Sequence, residues 1–137
     1  MGIVCSSSTS SINNHYVSYS MDTLPGYSCI NIFERDFVDL LDDLIHENGH
    51  HYLNALIEGE DDLIIEDDDK IYYSPWRDAL RPVRGLYHAV CTFYWAFELF
   101  SKISNNNDVL FTSDQLSKIR LRCIEESLMI LACEKQI

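Results

Sequence analysis

The sequence has few basic residues. Lys and Arg together number 10 against 22 Asp and Glu, and the formal net charge is -12. A protein that binds nucleic acid on its own needs basic side chains to neutralise phosphates. Anionic membrane surfaces attract basic segments in the same way. The composition therefore argues against nucleic acid and against a membrane surface as partners.

Long apolar runs and paired cysteines are also lacking. No stretch of 18 apolar residues occurs, so no transmembrane helix is predicted. The N-terminus has no cationic start of the kind that secretory signal peptides carry. The cysteines are odd in number and form no CxxC pair, which argues against a disulfide framework and for a reducing compartment; they are Cys5, Cys29, Cys91, Cys123 and Cys133. We predict a cytoplasmic protein.

The length of 137 residues predicts one domain, here residues 1–137. Apolar residues make up 47% of the chain and charged residues 23%, as in globular proteins generally. The segment 58–69 contains eight acidic residues and no basic one, so two-thirds of the net charge lies there. We interpret it as a solvated loop; a docking site for a basic partner is the alternative.

The first third of the chain is typical of short strands. Residues 3–5, 16–19 and 29–33 are rich in β-branched and aromatic types, and Ser/Asn clusters and the turn dipeptide Pro25-Gly26 separate them. A further short strand is predicted at 71–73, followed by an irregular turn over 74–77.

Three helices are predicted after these strands. Apolar residues at helical spacing place the first between a capping Asp36 and Gly59. Pro82 suits the first position of the second, which runs to about residue 103. Thr112 and Gln115 match a capping box at the start of the third. The predicted fold class is α+β, with short N-terminal strands packed with about three helices.

Two features of these helices predict how they pack. Gly49 costs its helix up to about 1 kcal/mol relative to Ala, so we expect another backbone to pack closely against it. In the last helix, the residues at core spacing are Leu116, Ile119, Cys123, Ile124, Leu128 and Leu131.

An HExxH sequence lies in the first helix, at His46, Glu47 and His50. Residues four apart share one helix face, so the two imidazoles can bind one divalent metal ion, and Glu47 can act as a base on its water. A surface histidine pair is the alternative, although the surrounding apolar residues indicate a half-buried helix. The third ligand could be Glu98 or His88; a lone His88 could also be a satisfied core residue.

A cluster of arginines precedes the second helix. Arg77, Arg81 and Arg84 lie within eight positions, next to Trp76. The arginine fork binds carboxylates bidentately, and a helix N-terminus adds positive potential, so Arg77 and Arg81 could form a carboxylate receptor. Salt bridges to the acidic segment are the alternative, which we favour for Arg84 and leave open for the other two.

The order of these motifs resembles the HExxH-type iron- and 2-oxoglutarate-dependent peptide β-hydroxylases of ribosomal peptide biosynthesis. Members carry an HExxH helix, a PWR-x-x-x-RP segment and a GLxH-like helix, and residues 74–88 here read SPWRDALRPVRGLYH. The resemblance is strongest over residues 44–97. Two positions depart from the family pattern: Leu80 stands where members often have Asp, and Ala89 where they often have Gly.

The resemblance implies a dioxygenase, an oxidoreductase that hydroxylates the β-carbon of a side chain such as Asp or His in a precursor peptide. It implies iron(II) on His46, His50 and His88, and the HExxH helix as a zincin-like scaffold. It also implies 2-oxoglutarate on Arg77 or Arg81, beside Trp76. The expected partners are the precursor peptide and another peptide-modifying enzyme. Two alternatives remain: a zinc metallopeptidase with Glu47 as general base, and a non-catalytic peptide-binding module.

Overall fold

The structure is a computed structural model and describes residues 2–6, 18–20, 23–59, 71–106 and 110–136. Within these ranges it has five strands and three helices. The strands are β1 (Gly2–Ser6), β2 (Tyr19–Ser20), β3 (Tyr27–Asn31), β4 (Ile71–Ser74) and β5 (Ala79–Pro82). The helices are α1 (Phe37–Gly59), α2 (Val83–Asn106) and α3 (Ser113–Glu134). The predicted α+β class and the three helices are confirmed.

The N-terminal strands form one sheet in the order β1-β3-β2, in which β1 is parallel and β2 antiparallel to β3. The strand predicted at 3–5 lies within β1, whereas β3 begins two residues earlier than predicted and ends at Asn31. Of the strand predicted at 16–19, residues 16–17 lie outside the described residues. The Pro25-Gly26 turn is confirmed: the amide of Tyr27 donates to the carbonyl of Leu24 (3.1 Å), and Gly26 has a φ of 81°.

A hairpin of β4 and β5 follows α1, with Tyr72 paired to Arg81 and Ser74 to Ala79. The sequence predicted β4 but not β5, and placed Pro82 in the second helix, whereas the structure has it as the last residue of β5. Proline lacks an amide hydrogen, so it fits the end of an edge strand. The turn of the hairpin presents Arg77 and holds Asp78 at a φ of 47°.

Helix α2 packs against both α1 and α3. The shared core contains Val38, Ala96, Phe100 and Ile119, all of which are fully buried. The predicted caps are confirmed: Asp36 Oδ1 accepts from the amide of Asp39 (2.9 Å), and Thr112 and Gln115 form the capping box. None of the helices in the described ranges is long and apolar enough to span a membrane.

The predicted core face of α3 is wrong in part. Ile119 is buried, but Ile124, Leu128 and Leu131 are 57%, 61% and 50% exposed. The positions that α3 buries are spaced by seven residues: Ile119, Glu126 and Cys133. The helix carries two apolar stripes, and periodicity alone cannot tell which of them faces α2.

Gly49 marks a close approach of α1 and α2. A Cβ atom at this position would lie 2.8 Å from Cε3 of Trp95 and 3.2 Å from Cγ2 of Thr92. Close packing at Gly49 was therefore predicted correctly, but the partner is an indole ring rather than another backbone. Because His50 is the next residue, this contact also sets how near α2 comes to the HExxH sequence.

Replacing Gly49 with alanine is expected to lower the free energy of unfolding by about 1–3 kcal/mol, because overpacking against Trp95 outweighs the gain in helix propensity. Gly59→Ala is the matched control, since a Cβ there has no neighbour within 4 Å. Urea denaturation of both variants measures the difference. Equal stability of the two variants would contradict the packing seen at Gly49.

Candidate functional site

Three histidine rings meet between α1 and α2. The Nε2 atoms of His46 and His50 lie 3.1 Å apart, and the Nδ1 atoms of His50 and His88 lie 3.4 Å apart. His46 and His50 are one turn apart on α1. His88 belongs to the face of α2 that carries Thr92 and Trp95, so the packing on Gly49 brings it to His50.

Each pair of these nitrogens, taken separately, has a spacing compatible with two ligands of one metal ion. Around one ion with bonds of about 2.1 Å, neighbouring nitrogen ligands are about 3.0 Å apart in an octahedron and about 3.4 Å apart in a tetrahedron. His50 presents a different nitrogen to each neighbour, and among the described residues no group of three ligand side chains converges on one point. One imidazole must therefore turn about its Cβ–Cγ bond for all three to bind the same ion.

Burial keeps His46 in the form that binds metals. Burial, and next the nearby Arg77 guanidinium, lower the pKa of His46 to about 4, so its imidazole is neutral at pH 7 and can donate a lone pair. The ring packs on Phe93 with centroids 4.3 Å apart. Within the described residues its Nδ1 atom has no hydrogen-bond partner.

His51, the third histidine of α1, contacts the N-terminal part of the chain and not the other histidines of that helix. Its Nδ1 accepts from the amide of Gly26 (3.3 Å), and its Nε2 lies 2.9 Å from Oγ of Ser28. These contacts tie α1 to the N-terminal sheet, away from the three-histidine cluster. His51 is thus a structural residue and a natural control for the other histidines.

The cluster lies in a cleft of about 850 Å³, within the range of roughly 300–1,000 Å³ common for ligand pockets. All the site residues predicted from the sequence line it: His46, Glu47, His50, Trp76, Arg77, Arg81 and His88. Glu98, the other candidate ligand, does not. It lies 3.7 Å from Lys102 and accepts from the Tyr94 hydroxyl (3.3 Å) on the exposed side of α2.

The arginines form the basic wall of the cleft. Arg77 projects from the hairpin turn, and the side chain of Arg81 lies over Gly85, with Nε 3.3 Å from where a Cβ would be. Within the described parts of the chain, neither guanidinium lies within 4 Å of a carboxylate. The segment 60–70, which contains most of the acidic run, lies outside the described residues.

Glu47 is a buried acid at the edge of the cluster, with 4% of its surface exposed. Burial raises its pKa to about 7, against the lowering effect of a hydrogen bond with Ser20. The sequence did not indicate that Asp42, one turn before His46, also lines the cleft. Its position four residues before His46 was the available signal.

The last helix reaches the site through Glu126, a residue that no sequence motif indicated. The indole Nε1 of Trp76 donates to Oε2 of Glu126 at 2.7 Å. The indole also stacks on Phe93, with centroids 4.7 Å apart and planes 3° apart. Glu126 is 2% exposed, and its burial raises its pKa to about 7 although the Trp76 hydrogen bond lowers it.

Glu126→Gln is expected to stabilise the protein at pH 8 but not at pH 4. The pKa of a glutamate in the unfolded chain is about 4.5, below its folded value of about 7, so the native protein loses stability as pH rises through this window. Gln retains an acceptor for Trp76 and does not ionise. The gain at pH 8 is at most about 3 kcal/mol. Urea unfolding at both pH values measures it, and a pH-independent difference would contradict the assignment.

Comparison with known proteins adds no assignment: no protein-family model matches the chain, and no curated protein shows significant similarity to it.

Proposed function

We propose that this protein is an iron(II)- and 2-oxoglutarate-dependent oxygenase that hydroxylates the β-carbon of a side chain in a ribosomally made precursor peptide. The observation that carries the proposal is the meeting of three histidines and two arginines without a described ion pair in one cleft. A metal ligand set explains the histidines, and a dicarboxylate explains the arginines.

In this proposal the histidines, the arginines and the aromatic residues have separate roles. His46, His50 and His88 would hold the iron, with the HExxH helix as a zincin-like scaffold. Arg77 and Arg81 would bind the distal carboxylate of 2-oxoglutarate, because a guanidinium pairs with a carboxylate through two parallel hydrogen bonds. The aromatic wall of Trp76 and Phe93 would keep water from the reacting centre.

Bound iron(II) would supply the activation of O₂ that oxidises an unreactive C–H bond. The balanced reaction converts 2-oxoglutarate, O₂ and the peptide into succinate, CO₂ and the hydroxylated peptide. One oxygen atom enters the new hydroxyl group and the other enters succinate. Of the electrons that reduce O₂, two come from the keto-acid and two from the C–H bond. No further reductant is consumed.

The zinc metallopeptidase is the second candidate, and the position of Glu47 beside the histidine pair favours it. A buried carboxyl with a pKa near 7 is suited to act as a general base. This candidate leaves the basic wall of Arg77 and Arg81 without a function, which is why we place it second.

The test of the proposed function is turnover of 2-oxoglutarate. Purified protein is supplied with iron(II), isotopically labelled O₂, 2-oxoglutarate and the short peptides encoded beside its gene. We expect succinate and a peptide that gains one labelled oxygen atom, with neither product formed by His50→Ala. Absence of both products from the iron-loaded native protein, with every such peptide, would refute the oxygenase; peptide cleavage with zinc would establish the second candidate.

A further inference from the structure

Helix α3 contributes no residue to the lining of the cleft, yet one of its side chains reaches the cleft wall. Glu126 accepts a hydrogen bond from the indole of Trp76, fifty positions away in the sequence, at 2.7 Å. We propose that Glu126 is a positioning residue that acts through Trp76 to hold the hairpin turn carrying Arg77 over the histidine cluster.

The cost of burying Glu126 requires an explanation. The side chain is 2% exposed, and removing a carboxyl group from water is unfavourable unless it gains partners. The indole of Trp76 is a donor-only group, so it needs an acceptor such as this one. A nearby ion pair, Arg122 Nε to Asp42 Oδ2 at 3.2 Å, links α3 to α1. The hydrogen bond from Trp76 therefore offsets part of the cost of burying this acid.

Two contacts together define the position of the indole. Its face lies on Phe93, almost parallel, and Phe93 in turn packs on His46. Stacking leaves the indole free to slide and rotate in its plane, whereas the hydrogen bond to Glu126 removes that freedom. The combination fixes Trp76 relative to the histidine cluster.

A fixed Trp76 also fixes the backbone amide of the next residue, Arg77. The amide of Arg77 donates to the carbonyl of Ser74 at 3.2 Å, which closes the turn around Trp76. Within the described ranges the Arg77 side chain has no ion pair that would hold it instead. The direction of Arg77 therefore depends on how Trp76 is held.

The first test needs neither metal nor activity. Two-dimensional amide NMR of the metal-free protein resolves the indole signals of Trp76 and Trp95, which a Trp95→Phe variant assigns. Glu126→Leu is expected to move the Trp76 indole signal upfield and to shift the backbone amides of Arg77 and Asp78. Glu126→Gln, which keeps an acceptor, should leave the Arg77 amide near its native position. An unmoved Arg77 amide in Glu126→Leu would overturn the proposal.

The second test measures binding of 2-oxoglutarate to the protein loaded with iron(II) without oxygen, and this arm rests on the proposed function. Glu126→Leu is expected to weaken 2-oxoglutarate binding about tenfold and to leave the affinity for iron(II) unchanged, because the hydrogen-bond partner of Glu126 is Trp76 and not a histidine. Glu126→Gln should restore the native affinity for 2-oxoglutarate. Trp76→Phe, which keeps the ring on Phe93 but removes the donor, should match Glu126→Leu.

The double variant decides whether Glu126 acts through Trp76. Two residues in one chain of contacts give non-additive effects, so Trp76→Phe combined with Glu126→Leu should bind 2-oxoglutarate as each single variant does. Additive losses, or native affinity in Glu126→Leu, would overturn the proposal. If the native protein binds no 2-oxoglutarate, the proposed function fails, and the NMR shifts alone decide the positioning role. Trp76→Phe supplies the same NMR comparison if Glu126→Leu does not fold.

Discussion

Replacing His50 with alanine is expected to weaken metal binding at least about 100-fold. His50 is the central ring of the cluster, because its two nitrogens face His46 at 3.1 Å and His88 at 3.4 Å. Without it, the other two imidazoles are left as a pair from different helices. Calorimetric titration with iron(II) under nitrogen, and metal content per chain, measure the change.

The matched control is His51→Ala on the same helix. His51 contacts Gly26 and Ser28 and does not line the cleft, so its loss should lower thermal stability without changing the affinity for iron(II). His46→Ala and His88→Ala are expected to behave as His50→Ala does. Native metal affinity in His50→Ala, or an equal loss in His51→Ala, would show that the metal binds elsewhere.

Arg77→Gln is the second substitution with a large expected effect. It should raise the Kd for 2-oxoglutarate about 10–100-fold, because the charged hydrogen bonds of a guanidinium to a carboxylate contribute about 1.5–3 kcal/mol. The amide of glutamine keeps one donor group but loses the charge and the fork. Titration of the metal-loaded protein with 2-oxoglutarate under nitrogen measures the change, and the affinity for iron(II) itself should not fall.

Arg84→Gln is the control for this substitution. Arg84 lines the same cleft and belongs to the same basic segment, so the control separates a specific carboxylate contact from the general loss of one positive charge. Arg81→Gln should resemble Arg77→Gln. If peptide cleavage with zinc survives both of these changes and 2-oxoglutarate binding is absent from the native protein, the second candidate function is the correct one.

Local signals predicted most of the helical architecture. Asp36 and the pair Thr112 and Gln115 begin their helices where capping chemistry places them, because a side-chain oxygen there satisfies an otherwise unpaired amide. Strand β5 was missed because four residues ending in proline carry little β signal. The buried face of α3 was mistaken because it includes Glu126, whose burial depends on Trp76, a partner fifty positions earlier.

The candidate site also combines features that could be predicted from the sequence with features that could not. The residue types left Glu98 and His88 open as the third ligand, and the family resemblance selected His46, His50, His88, Arg77 and Arg81; all five line one cleft. Apart from the close packing expected at Gly49, the sequence did not indicate which residues would hold them there. The acceptor for Trp76 lies in a helix without a motif, and the burial that lowers the pKa of His46 depends on how the chain folds around it.

The sequence alone determined four features: the low count of basic residues, the helix caps, the HExxH spacing and the arginine cluster. Each of the last three depends on residues near one another in the chain, and the first depends on composition alone. The tertiary structure alone decided that His88 meets His50 and that α3 buries an acid under Trp76. Both depend on contacts between distant segments: the absence of a Cβ at Gly49 lets α2 approach α1, and the indole of Trp76 donates to an acid that only the fold brings near it.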